Sequence, residues 1–212
     1  ITAKMVNIHK ETSPNQPFKE QDSYGVFKLD YQYSNPDIIK EFRYRFSFEA
    51  AKNFSKLSLD LRYRALSTKD TQLDFRVFAG TFLNNSSTGD YFSFGLDRPN
   101  DYMFDYNLLG RSETTGIYSQ QYVYAEGGFK SRLDTRFANQ WITTLNGTFN
   151  IWNWIQIYGD AGWIKNKSLG SQFVFDSGVH LNLVPDYFEL YFPVYSSNGF
   201  AGNYGNYGEK IR

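Results

Sequence analysis

The runs IIKEFRYRFSFEA (38–50), KLSLDLRYRA (56–65) and TQLDFRVFAGT (71–81) decide the reading of this chain, because all three alternate at period two. Phe42, Tyr44, Phe46 and Phe48 fall on one side of the first run, with Arg43, Arg45, Ser47 and Glu49 on the other. The second sets Leu57, Leu59, Leu61 and Tyr63 against Ser58, Asp60, Arg62 and Arg64. The third sets Leu73, Phe75, Val77 and Ala79 against Asp74 and Arg76. Successive side chains of a strand point to opposite faces, so each run makes one apolar face and one densely charged face. The short links AKNFS (51–55) and LSTKD (66–70) let consecutive strands pair as an antiparallel meander.

Two architectures share this pattern. A small soluble barrel turns the apolar face inward; a transmembrane barrel turns it outward to lipid and keeps the charges in its lumen. The runs are about ten residues long, which suits a tilted membrane strand better than the five or six residues usual in a globular sheet. Their apolar faces are crowded with Phe and Tyr, bulky for the interior of a small closed barrel. The charged faces place Arg, Asp and Glu at successive positions where they can pair. These features favour the membrane barrel, with Phe46, Leu59 and Phe75 facing lipid. Arg43, Arg45, Asp60, Arg62, Arg64, Asp74 and Arg76 then form a charged network in the lumen.

Composition agrees. Phe, Tyr and Trp number 20, 17 and 4 in 212 residues, or 19%, a supply suited to lipid-facing rings and interfacial girdles, though aromatic-rich soluble sandwiches and sugar-binding modules share it. With 22 basic and 22 acidic residues the net charge is zero, which gives no reason to expect a nucleic-acid partner. There is no cysteine, hence neither a disulfide scaffold nor a thiolate metal site. The mean hydropathy of −0.52 is compatible with a barrel, in which every second residue faces a polar lumen. No stretch has the apolar length of a transmembrane helix, and ITAKMVNIHK lacks the apolar core of a signal peptide. An exported barrel with this start reads as a mature fragment.

Along the chain, residues 1–10 and 24–33 read as strands, separated by a polar loop carrying Pro14 and Pro17. The three opening runs follow, then NNSSTGD (84–90) and a short strand at 91–96. Residues 97–139 keep no steady period. Within them 117–125 can form a strand, Gly127-Gly128 breaks it, and FKSRLDTRFANQ concentrates cations. Such a segment is an ordered loop, a plug or a partner surface. Alternation returns in ITTLNGTFNI (142–151), IQIYGDAGWI (155–164), FVFDSGVHLNLV (173–184) and YFELYFPV (187–194). The links between them alternate in length: Trp152-Asn153 and Pro185-Asp186 are tight, KNKSLGSQ and SSNGFAGNYGN longer, as outer-membrane barrels alternate periplasmic turns with external loops. Trp141, Trp152, Trp154 and Trp163 fall near strand ends, as girdle residues do. The count is eleven strands plus a twelfth beginning near Ile211, an all-β, antiparallel up-and-down transmembrane barrel over 1–212 whose last strand is truncated. Its place would be the outer membrane of a Gram-negative bacterium.

No catalytic motif is evident. His9-Lys10-Glu11 is not the His-Glu-x-x-His of a zinc peptidase, and neither a Gly-x-Ser-x-Gly elbow nor a phosphate loop is present. His180 shares a face with Asp176, Gly178 and Asn182, which points it into the lumen and toward a buried polar network.

GRSETTG (110–116), EGGFKSRLDTRFANQW (126–141), VFDSGVHLNLVPDYFELYFPVYSSNG (174–199) and NYGEKIR (206–212) resemble the C-terminal region of large Bacteroidota cell-envelope proteins of the gluzincin, aminopeptidase N-like metallopeptidase type. The likeness covers about the last hundred residues. It implies a zinc-peptidase-like domain upstream of Ile1 with this chain as its outer-membrane anchor. Zinc would belong to that upstream domain: no position here matches the zinc motif, and no catalytic, cofactor or metal residue is carried over. Different in class are an accessory barrel subunit of an outer-membrane assembly or secretion complex, and a solute channel. Expected partners are outer-membrane lipid and other outer-membrane or periplasmic proteins.

Overall fold

The computed structural model describes residues 1–9, 23–37, 39–66, 71–106, 116–184, 188–203 and 205–212. The strands are β1 (Thr2–Ile8), β2 (Tyr24–Asn35), β3 (Lys40–Ala51), β4 (Phe54–Leu66), β5 (Gln72–Asn85), β6 (Phe94–Gly95), β7 (Phe137–Ala138), β8 (Trp141–Trp152), β9 (Ile155–Lys165), β10 (Ser171–Val184), β11 (Phe188–Ser196) and β12 (Gly199–Phe200). Ten form one antiparallel sheet in the order β1-β2-β3-β4-β5-β8-β9-β10-β11-β12, while β6 and β7 pair by themselves. The period-two runs became these strands because each side chain in them suits the face it meets, so register follows pattern. Phe46 lies opposite Leu59, and Leu59 opposite Ala79.

The exposure of the two faces is inverted relative to a water-soluble sheet. Phe27, Tyr31, Phe46, Phe75, Leu145, Phe149, Trp163 and Phe173, all on one face, are 42–56% exposed. On the other face Glu49, Arg76, Asn146, Asp160, Asp176 and His180 are 1–6% exposed. The segment between β5 and β8 covers that polar face. Its Phe94, Leu96, Phe129, Leu133 and Ala138 pack on Phe78, Ile142, Ile164 and Val174 of the sheet. A second cluster joins its Phe92, Tyr102 and Met103 to Ile8, Tyr24, Val26 and Phe54. One segment thus touches β1 and β2 on one side and β9 and β10 on the other, and the sheet curls around it. Each fully buried Phe contributes roughly 1.5–3 kcal/mol to holding it there.

Two glycines make close approaches possible. A Cβ on Gly80 would stand 2.6 Å from the Phe94 ring, and one on Gly178 would stand 2.2 Å from the Phe192 carbonyl oxygen. A side chain at Gly80 would push the segment between β5 and β8, hereafter the plug, off the sheet, and one at Gly178 would break the β10–β11 contact.

The all-β, antiparallel, sequentially ordered sheet agrees with the sequence reading, but the strand count differs. The run 91–96 contributes only the two residues of β6, and Ile117–Gln120 is a 3-10 turn. Both belong to the segment between β5 and β8, and in the first Phe92, Phe94 and Leu96 find their partners in the buried clusters rather than in a neighbouring strand of the large sheet. Nor does a strand begin at Ile211: Tyr207–Lys210 is a 3-10 turn. Arg212 nevertheless exchanges two backbone hydrogen bonds with Tyr191 of β11, at 2.6 and 3.1 Å. β1 and β12 are the outer strands of the sheet and are not paired with each other.

Strand order fixes two rims. One carries the connections 52–53, 86–140, 166–170 and 197–198; the other carries Ile1 and the connections 36–39, 67–71, 153–154 and 185–187. The tight turn at 185–186 lies outside the described residues, as does the loop with Pro14 and Pro17. Trp141 and Trp163 stand toward the first rim, Trp152 and Trp154 at the second.

Candidate functional site in the polar interior

The polar face is organised in lateral rows set by register. One row runs Arg43, Arg62, Arg76, Asn146, Asp160, Asp176 across β3, β4, β5, β8, β9 and β10. Three arginines therefore stand side by side on one wall and two aspartates on another. Like charges directly opposite one another are destabilising, so each needs a counter-charge from elsewhere.

On the arginine wall the counter-charges come from the same and adjacent strands. Arg76 donates from Nε and Nη2 to the two oxygens of Asp60 at 2.9 and 3.0 Å, and from Nη1 to the Glu126 carbonyl at 2.8 Å and to Asn146 Oδ1 at 3.3 Å. Arg62 reaches the same Asp60 at 3.1 Å, Arg64 reaches Asp74 at 2.7 Å, and Arg43 reaches Glu41 at 2.5 Å. Arg45 donates to Gln32 and stands exposed. Tyr124 lies beneath the Arg62 and Arg76 guanidinium groups, 4.9 and 4.8 Å from its ring centre.

On the acidic wall the counter-charges come from the plug. Lys130 Nζ donates to both oxygens of Asp160 at 2.8 and 2.9 Å, and Asn146 donates to Asp160 at 2.9 Å. The Lys130 and Ser131 amides donate to Asp176 at 2.9 and 2.5 Å. Burial pushes the Lys130 ammonium down, but Asp160, Tyr124 and Asp176 together hold it above the ordinary lysine value. Gly128, at φ +73°, brings the plug backbone under Asn146, where a Cβ would stand 2.7 Å from the amide oxygen. Farther along, Glu49 accepts from Tyr102 and pairs with Lys28 at 3.1 Å and Lys56 at 3.3 Å. Burial, and then the charge of Glu49, push the Tyr102 hydroxyl well up.

Asp97 and Arg212 are a looser pair, 3.7 Å apart. Burial raises the Asp97 carboxyl despite Arg212, Arg136 and Arg98 nearby, and burial lowers the Arg212 guanidinium. At that separation desolvation exceeds the Coulombic return for both partners.

The plug leaves a cavity of about 1140 Å³ at the rim opposite its entry, floored by Tyr122, Tyr124 and Lys130 and walled by Arg43, Arg62 and Arg64. His180 lies in this cavity wall, stacked on Tyr191 at 4.2 Å, with Nδ1 2.8 Å from Gln156 Oε1. Its Nε2 is 3.3 Å from Glu189 but lacks hydrogen-bond geometry. The ring's neighbours hold it in place, and no nucleophile is paired with it in the described contacts. Among the described residues no three His, Cys, Asp or Glu side chains are grouped to hold a metal ion.

Phe46 and Phe75 lie on the exposed outer face and Leu59 is partly buried there, between Phe46 and Ala79. Sequence periodicity put Arg76, Asp60, Arg64 and Asp74 on one face. It put Asp176 inward beside His180, as found, but missed Lys130, Glu126, Asn146 and Asp160 as members of the same network. The available signal was a polar residue at one inward position of each of β8, β9 and β10 (Asn146, Asp160 and Asp176), beside a cation-rich insert. Comparison of the chain with protein-family models, curated proteins and solved structures finds no match in any of the three.

Proposed function

We propose that this chain is a plugged outer-membrane β-barrel that anchors a periplasmic domain rather than conducting solute. The observation that carries this reading is the inverted sheet: aromatic and aliphatic side chains on the outer face, with charges buried beneath. In water the outer face would be a hydrophobic surface far larger than monomers tolerate; in lipid it is the required face. The backbone of an open sheet edge cannot rest in hydrocarbon, so membrane insertion requires the β1 edge and the β11–β12 edge to be covered. The plug argues against a channel, since Phe92, Phe94, Phe129 and Leu133 fill the interior beside the first rim. The resemblance to gluzincin-type envelope proteins supplies what is anchored, a zinc-metallopeptidase-like domain joined before Ile1. An accessory role in an outer-membrane assembly would use the same anchor without peptidase activity.

The test is reconstitution. The chain folded into vesicles of brominated lipid should show quenched tryptophan fluorescence and heat-modifiable migration on a gel, and planar bilayers containing it should conduct little. A monodisperse, folded protein in detergent-free buffer, with unquenched tryptophans when vesicles are added, would overturn the proposal.

A further inference from the structure

The cavity at the rim that carries Ile1 is lined by the arginines of β3, β4 and β5 and, on the facing wall, by uncharged polar residues of β8, β9 and β10 rather than by their aspartates. Asp160 and Asp176 are covered by Lys130 and the amides of 130–131, and neither lines the cavity. The charged residues that line the cavity are Arg43, Arg62, Arg64, Arg76, Lys130 and Arg212 against Glu41, Asp74 and Glu189, six cations to three carboxylates, while Asp60, Asp97 and Asp160 lie behind the lining. The carboxylates also sit deeper. Glu41, Asp60 and Asp74 side chains are 27%, 17% and 30% exposed, whereas those of Arg43, Arg62 and Arg64 are 43%, 47% and 47% exposed. A wall built for self-neutralisation alone would not leave its guanidinium groups as the outermost charges.

Hydrogen-bonding capacity is also left over around the cavity. Arg43 Nε, on the cavity wall, is a buried donor without an acceptor. Buried polar groups are ordinarily satisfied, and an unfilled guanidinium donor beside a cavity lined by further arginines points to an anionic occupant. We propose that this cavity binds a multiply charged anion bearing carboxylate or phosphate groups. Arg43 and Arg62, direct cross-strand neighbours, make a two-point grip on one group with the N–H groups not spent on Glu41 and Asp60, and Arg64 meets a second. The volume of about 1140 Å³ is at the upper end of ligand sites and admits several such groups at once. This site rests on the concave wall alone and is independent of whether lipid covers the outer face.

The experiment is calorimetric titration of the folded chain in detergent micelles with inorganic pyrophosphate and, separately, tetraglutamate. Saturable binding of one or both is expected, weakening steeply as salt approaches about 1 M, where the screening length falls to about 3 Å. Binding of pyrophosphate alone assigns a phosphate ligand, and of tetraglutamate alone a carboxylate one. Arg43→Gln with Arg62→Gln should weaken binding at least about tenfold, as expected for loss of a charge-assisted two-point grip. Arg45→Gln, on the same face but outside the cavity, should leave it unchanged. Should the double Gln variant fail to fold, Arg43→Lys with Arg62→Lys keeps the charge and removes the guanidinium fork, and it too should weaken binding. Failure of both anions to bind the folded wild type, or wild-type affinity in the double variant that folds, overturns the proposal.

Discussion

Arg76 and Asp60 occupy adjacent strands two residues out of direct register, and the guanidinium meets the carboxylate through two parallel hydrogen bonds of 2.9 and 3.0 Å. The diagonal placement lets Arg76 escape Arg62, its direct cross-strand neighbour, while Asp60 serves both arginines. Arg76 is buried and Asp60 partly so, and each is the other's two-bond partner. Arg76→Leu leaves the Asp60 carboxylate to Arg62 alone and should destabilise the chain by less than the about 3–5 kcal/mol of a wholly unpaired buried charge, measured by urea unfolding of the lipid-reconstituted protein. Arg76→Leu with Asp60→Leu should recover much of that loss. Equal stability of the single and double variants would show that the carboxylate is not held by Arg76.

The outer face gives a prediction opposite in kind. Phe46→Arg, Leu59→Arg and Phe75→Arg place a charge where the proposed barrel meets hydrocarbon. Each should cost about 2–4 kcal/mol near mid-membrane and less toward the rims. The readout is the yield of heat-modifiable protein after folding into vesicles. If all three fold into vesicles as the parent does, and Asp74→Leu abolishes folding in detergent-free buffer, the face is solvated rather than lipid-covered.

How far the sequence could be read depended on where each segment found its partner. β2 to β5 and β8 to β11 pair with their sequence neighbours or across one insertion, and period two is enough to place Phe46, Leu59 and Phe75 on a common face. The run YFSFGL alternates as well as they do, with Phe92, Phe94 and Leu96 on one side, yet these three are wholly buried inside the sheet. Alternation reports that a face is buried, not against what, so a plug strand and a wall strand look alike. The Lys130–Asp160 and Arg76–Glu126 contacts join residues 30 and 50 positions apart, beyond the reach of any local pattern. His180 was legible as inward-facing, but its stack on Tyr191 depends on the β10–β11 register, where Pro193 and a bulge interrupt regular pairing.

Asp97 links stability to pH. Its buried carboxyl holds a proton more readily in the folded chain than in the unfolded one, where the value is about 3.9. Above about pH 4 the folded state therefore binds more protons at this site, and stability from Asp97 falls as pH rises through its raised folded value. Asp97→Asn removes that dependence. Relative to wild type the variant should gain stability progressively from about pH 4 upward, whatever fixed cost it carries from the altered Arg212 contact. A stability difference that stays flat with pH, or that turns against Asn as pH rises, would rule out a carboxyl burdened by burial.

Topology permits the sharpest test, because the chain has no cysteine and single labels can be introduced cleanly. Lys52 lies in the connection between β3 and β4 and Thr88 begins the plug, both at the first rim, and both are exposed. Asp37, between β2 and β3, is exposed at the opposite rim, the one that also carries Ile1 and the turn after Trp152. Outer-membrane barrels keep their long loops outside, and the longest connection, 86–140, leaves from the Lys52 rim, although 52–53 and 197–198 at that rim are also short. In the proposed barrel the Asp37 rim is therefore the periplasmic one, with anything joined before Ile1. Removing β6 and Ile117–Gln120 from the count of crossing strands subtracts two, so the sides do not exchange. On intact cells an impermeant maleimide should label Lys52→Cys and Thr88→Cys, and should reach Asp37→Cys only after the outer membrane is permeabilised. Labelling of Asp37→Cys alone on intact cells would put any upstream domain outside the cell. Labelling of all three on intact cells, with none protected, would mean that the sheet does not span a membrane.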